Sequence, residues 1–196
     1  IGSENHSGGL DKSTRGRGVT VIFGDGAGAA VLSRNEQKGK GILSSHLYSE
    51  GKHARELMMD GPHTGRWIPE ILKENNPNDE SYYPYMNGQF VFKHAVTRFS
   101  EAIVDGLQAN NLNSENIDIL IPHQANLRIA QFIQRKFKLT DDKVYNNIMN
   151  YGNTTAASVI IALTEAWEKG MIKEDDLVVL AAFGAGFTWG SVIIRW

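Results

Sequence analysis

The chain has 196 residues, 41% of them hydrophobic and 21% charged, with a formal net charge of −2. That composition is ordinary for a soluble globular domain and gives no reason to expect bulk binding to nucleic acid or to an anionic membrane. There is no cysteine, which excludes disulfides, thiolate metal sites and a cysteine nucleophile within these residues. The longest nearly uninterrupted apolar run, "LVVLAAFGAGF", is too short to span a bilayer. The opening "IGSENHSGGLDKSTRGRG" begins on Ile1, lacks the basic-then-apolar pattern of a signal peptide and reads like the middle of a protein.

In chain order, "VTVIFG" (19–24) reads as a buried strand, "DGAG" (25–28) as a tight turn and "AAVLSR" (29–34) as a second strand, together a hairpin. "GILSSHLYSE" (41–50) alternates as a third strand. Residues 51–86, rich in Gly, Pro, Asn and charge, read as a long excursion with little regular structure, of the kind that lines a site. Phe90, Val91, Ala95, Phe99, Ile103 and Leu107 then recur at helical spacing up to "NNLN". "IDILI" (117–121) is a buried strand, after which Asn126 caps a helix that puts Ile129, Ala130, Ile133 and Phe137 on one face. A helix over 154–170 stops at Gly170, and "LVVLAAFG" (177–184) and "GSVIIRW" (190–196) are strands joined by "AGFTW". Strands alternating with helices predict an α/β layer structure with a mixed sheet.

Three loops follow strands expected to be buried: "PHQAN", "YGNTTAAS" and "FGAGFTWG". Sites in α/β sheets collect at the carboxyl ends of strands, so the loops are expected to converge. They offer the imidazole of His123, the carboxamide of Asn153 and backbone N–H groups around Gly184–Gly186, a set suited to a developing oxyanion or enolate. Each has a plainer reading. A lone histidine after a strand is more often structural, and Asn153 before Thr154 reads locally as a helix cap. "GDGAGAA" lacks the Lys-Ser/Thr ending of a phosphate loop, and Asp25 reads as a turn residue before a buried base. The other histidines, at 6, 46, 53, 63 and 94, show no metal-ligand spacing.

Taken in order, "RGVTVIFGDGAGAAVL", "NGQFVFKHAV", "IPHQANLRIA", "YGNTTAASVIIALTEA" and "FGAGFTWGSVIIRW" resemble the C-terminal half of β-ketoacyl-acyl-carrier-protein (ACP) synthase III. The resemblance implies a thiolase-like fold, with residues 1–196 forming one βαβαβαββ half, a mixed sheet flanked by helices. It implies an acyltransferase of fatty acid biosynthesis that joins an acyl group from acyl-CoA to malonyl-ACP with loss of CO₂. The family's triad is Cys-His-Asn. His123 and Asn153 match the last two members, and the cysteine belongs to an N-terminal half absent from this sequence. This chain alone is then expected to be inactive.

Further positions carry over from the resemblance. Arg17 matches the arginine that stacks on the CoA adenine. Ile22, Gly88, Phe92, Ala125 and Asn126 match the walls of the pantetheine tunnel. Phe183 matches a phenylalanine beside the nucleophile, and Ala185 the central glycine of an oxyanion-hole "GGG". Alanine keeps that N–H, provided its φ suits a residue with Cβ. Lys93, Arg128, Arg135 and Lys136 match the basic patch that docks ACP, although Arg135 and Lys136 by themselves read as a solvated helix face. Gln89 stands where the family has Asn. The implied substrates are a coenzyme A thioester and ACP phosphopantetheine, with no covalent cofactor and no metal. The implied partners are ACP, the missing half and a second copy in a homodimer, in a bacterial cytoplasmic setting with no nucleic acid and no membrane. Two other readings remain: a related acyltransferase of secondary metabolism, and a non-catalytic thiolase-like subunit.

Overall fold

The computed structural model describes residues 1–61 and 80–196. In chain order the elements are β1 (Gly2–Glu4), α1 (Arg17–Thr20), β2 (Gly26–Gly28), β3 (Gly41–Ser49), β4 (Leu57–Met58), β5 (Tyr85–Met86), α2 (Gly88–Ala109), β6 (Ile119–Pro122), α3 (Leu127–Lys136), α4 (Ile148–Tyr151), α5 (Ser158–Glu168), β7 (Leu177–Gly184) and β8 (Thr188–Arg195). The main sheet runs β3-β8-β7-β6. β8 is antiparallel to both neighbours, while β6 and β7 are parallel.

Residues of β7 point alternately to two apolar layers. Leu177, Val179 and Ala181 join a core with Phe99, Ile103 and Leu107 of α2 and Ile133 of α3. Val178 faces Ala162 and Ala166 of α5 on the other side. Burial on both faces explains why this strand reads as an unbroken apolar run. The helices start where the side chains can cap them: Asn87 Oδ1 accepts from Phe90 N at 3.4 Å, and Asn126 Oδ1 from Arg128 N at 2.9 Å. Gly170, at φ +68°, ends the turn after α5.

Leaving aside the small β4–β5 pair and the short α4, the order from β3 onward is strand, helix, strand, helix, a single parallel bridge between Val144 and Leu120, helix and two strands. This is the implied βαβαβαββ pattern with its third strand reduced to one bridge. Among the described residues, no helix is long and apolar enough to cross a membrane.

The expected hairpin over 19–34 does not form. Residues 17–20 are helical, Phe23 makes one bridge to Asn153, and only Gly26–Gly28 is a strand, paired with β1. The short apolar run there needs a sheet to join, and the four main strands lie elsewhere. Val21, Val31 and Leu32 are accordingly 76%, 95% and 77% exposed. Asp25 is a surface tie, its carboxylate accepting from Ser7 N and Ser7 Oγ at 2.8 and 2.6 Å. The excursion over 51–86 is more regular than expected: 51–56 form a 3-10 helix and β4 pairs with β5. Its residues 62–79, with His63, lie outside the described residues. The helix expected at 154–170 opens as a 3-10 turn over 155–157 before α5 begins.

Candidate active site

The parallel pair β6 and β7 ends at one edge of the sheet, and the three loops meet there on an open cleft of about 1350 Å³. The β6 ladder runs one residue past the strand, with His123 N donating to Ala181 O at 2.8 Å. That bond fixes where the imidazole leaves the sheet. Asn153 is held by its backbone, N donating to Ile22 O at 2.8 Å and O accepting from Gly24 N at 3.0 Å. Gly152 before it sits at φ +70°, where a Cβ would meet Ile22 O at 2.9 Å, so both its conformation and its surroundings require glycine.

His123 is half-buried, and its ring stands in the wall of the cleft. Withdrawal from water pushes its pKa down to about 4, so the imidazole is neutral near pH 7. Its Nδ1 lies 2.5 Å from Ser158 Oγ, while Nε2 bonds to no described residue. Asn153 is buried, and its Oδ1 accepts from Thr155 N at 2.8 Å. The expected helix cap is instead a local turn: the N-caps of the 3-10 turn and of α5 are Thr154 and Ala157, neither with a side-chain cap, while Asn153 Nδ2, in the cleft wall, has no partner among the described residues. Ala185 lies beyond β7, its N–H has no partner among the described residues, and it is not among the residues with positive φ, so a Cβ is tolerated there. Phe183 is buried with its ring 4.9 Å from that of Phe187. The cleft thus collects a neutral imidazole, an amide and, at Ala185, a backbone N–H without a partner among the described residues, a set that can take up negative charge on an oxygen.

Sequence reading missed the residues that hold these donors. Gln124 is buried, and its Oε1 accepts from Asn147 N and Ile148 N at 3.0 and 3.1 Å. Its Nε2 donates to Pro122 O at 2.7 Å, so one side chain clamps the His123 loop to the segment leading to Asn153. Glu165 of α5 accepts from Tyr145 Oη at 2.6 Å, from Asn147 Nδ2 at 3.3 Å and from Tyr151 Oη. The tyrosine hydrogen bonds hold its carboxyl down at about 2 against the opposing effect of burial. Nothing in the local pattern marks Ser158. Gln124, beside His123 in "PHQAN", could have been suspected.

Ile22, Gly88, Phe92, Ala125, Asn126 and Arg128 line the same cleft, but Arg17, Lys93, Arg135 and Lys136 do not. Arg17 lies exposed on α1, and the other three are exposed on α2 and α3. Spacing along the chain also hid one cluster: Glu50, His53 and His94 bring ligand-type atoms within 4.8 Å of one another. The Glu50 carboxylate is already bound to Lys52 at 2.6 Å and Arg98 at 2.9 Å, and those cations oppose a third. The two imidazoles meet each other at a tilt, centroids 4.7 Å apart, and pack edge-on or tilted against Phe90 and Phe187.

Residues 107–196 match the family model for the C terminal of 3-oxoacyl-[acyl-carrier-protein] synthase III, and residues 1–51 match a second model of that synthase. The β-ketoacyl-[acyl-carrier-protein] synthase III of Caldanaerobacter subterraneus is 47% identical over 180 residues, covering 92% of this chain and 53% of the relative. That of Bradyrhizobium diazoefficiens is 41% identical over 201 residues, covering 100% and 57%. Among solved structures, the 3-oxoacyl-(acyl carrier protein) synthase III of Pseudomonas aeruginosa superposes with a TM-score of 0.87 at 34% identity, covering all of this chain and 57% of that one. The Aquifex aeolicus enzyme gives 0.85 at 36% identity, covering 100% and 56%. The chain therefore spans about half the length of the curated relatives it matches. It belongs to the 3-oxoacyl-[acyl-carrier-protein] synthase III family.

Proposed function

We propose that this chain is the C-terminal part of a bacterial, cytoplasmic condensing acyltransferase that joins an acyl group from acyl-CoA to malonyl-ACP and begins type II fatty acid synthesis. The observation that carries this reading is the pairing on one cleft of a neutral imidazole and a carboxamide whose Nδ2 has no partner among the described residues. A cysteine nucleophile is absent from these residues and would come from the part of the relatives' length that the chain does not span. That cysteine takes the acyl group. Malonyl-ACP then loses CO₂, and the electron pair of the broken C–C bond moves onto the thioester oxygen. His123 and Asn153 each donate a hydrogen bond to that oxygen as its charge grows, which favours the transition state over the ground state. The enolate carbon attacks the acyl-cysteine, expels the thiolate and leaves 3-oxoacyl-ACP. The N–H of Ala185 would receive the acyl oxyanion, beside Phe183.

Ile22, Gly88, Phe92, Ala125 and Asn126 would form the pantetheine walls, with Arg17 on the adenine. Lys93, Arg128, Arg135 and Lys136 would meet the acidic carrier, and the full-length enzyme would be a homodimer. The test is CO₂ release from malonyl-ACP by the full-length protein, with cysteine acylation followed separately. His123→Ala is expected to lower condensation by on the order of 10²–10³ while largely sparing acylation. Equal loss of both overturns the assigned role. Acyl transfer to another acceptor without CO₂ release would instead support the acyltransferase of secondary metabolism.

A further inference from the structure

Ser158 takes no part in the reading above. It opens α5, is 2% exposed, and its Oγ touches two groups: His123 Nδ1 at 2.5 Å and Gln124 N at 3.3 Å. A hydroxyl has one hydrogen to give and lone pairs to receive. The backbone N–H of Gln124 can only donate, so it takes a lone pair of Oγ. Among the described residues no carbonyl or carboxylate meets Oγ, which leaves Nδ1 as the one acceptor for the hydroxyl hydrogen. If Nδ1 carried the imidazole proton instead, that hydroxyl hydrogen would be buried without a partner, an arrangement folded proteins avoid.

We propose that Ser158 is a positioning residue whose hydroxyl donates to Nδ1 of His123 and thereby fixes the imidazole as the Nε2–H tautomer, aiming an N–H into the cleft. A neutral imidazole has one N–H, and the hydrogen bond made by one nitrogen decides which nitrogen carries it. The opposite tautomer would turn a bare lone pair towards the thioester oxygen and repel its growing charge. The gain for catalysis rests on the function proposed above. The tautomer itself rests on the hydrogen-bond geometry alone.

Nitrogen-15 NMR of the full-length protein labelled at histidine tests it, with the His123 signals assigned by their absence from His123→Gln. The expected wild-type spectrum has a pyrrole-type shift at Nε2 and a pyridine-type shift at Nδ1. In Ser158→Ala both shifts move towards the average of two tautomers, and Ser158→Thr, which keeps the hydroxyl, returns them. In Ser158→Ala kcat for CO₂ release falls about two- to tenfold, the worth of one neutral hydrogen bond, with KM for malonyl-ACP little changed. An Nδ1–H tautomer in the wild type overturns the proposal whether or not any variant folds, as do unchanged shifts in Ser158→Ala. A protein with the expected shifts but no CO₂ release overturns the proposed function and leaves the tautomer assignment standing.

Discussion

Asn153 divides its amide between two tasks. The oxygen closes a local turn ahead of α5 by accepting from Thr155 N, and that bond orients the nitrogen. Asn153→Asp keeps the turn-closing oxygen and nearly the same shape but replaces the donor by an acceptor. It is expected to lower CO₂ release from malonyl-ACP by on the order of 10²–10³ while the thermal unfolding midpoint stays close to wild type. Asn153→Ala also loses the hydrogen bond from Thr155 N and should cost about 1 kcal/mol of stability besides, visible in a urea titration. Comparing the two variants separates the donor from the turn. The local pattern favoured a helix cap, and only the resemblance pointed to the amide donor, because a turn-closing Asn and a catalytic one look alike in sequence.

At the scale of elements, α2 lies tightly against the sheet. Ser191 Oγ of β8 donates to Ala102 O at 2.6 Å, and a Cβ on Gly106 would come within 2.9 Å of Ile193 Cδ1 and Ser191 Oγ. Gly106→Val is therefore expected to destabilise the fold by about 1–3 kcal/mol, measured as a lower urea midpoint with unchanged slope. The helix itself was legible, since Phe99, Ile103 and Leu107 bury against strands of the same chain, and their 3.6-residue period records that contact. β7 was legible for the same reason. Residues 19–34 were misread because a short apolar run reports what a segment could pack on, not whether that surface is present. Val144 was missed as a strand position because a single bridge leaves no period to read.

For the whole molecule, acid should weaken the fold through two groups. Glu165 drops from its ordinary 4.5 to about 2 on folding, chiefly through the Tyr145 and Tyr151 hydroxyls. Its contribution is present above about 4.5 and is lost as pH falls towards 2. His123 falls from 6.5 to about 4, so between those values the unfolded chain binds the extra proton and stability again declines with falling pH. Urea midpoints measured from pH 7 to pH 3 should therefore drop continuously, and Glu165→Gln should flatten the lower part of the curve. An unchanged slope in that variant would remove Glu165 from this account. The convergence of the three loops on one cleft was legible from strand order, whereas the Glu165 network was not, because Tyr145 and Tyr151 meet it only through the fold.

Gln124 touches both the carbonyl end of β6 and the amides that open the path to Asn153. The spacing of the two donors thus depends on one uncharged side chain as well as on the backbone bonds that hold each of them. Warming that loosens this clamp would part the donors while the strands stay paired, so the catalyst would fail at a lower temperature than the protein melts.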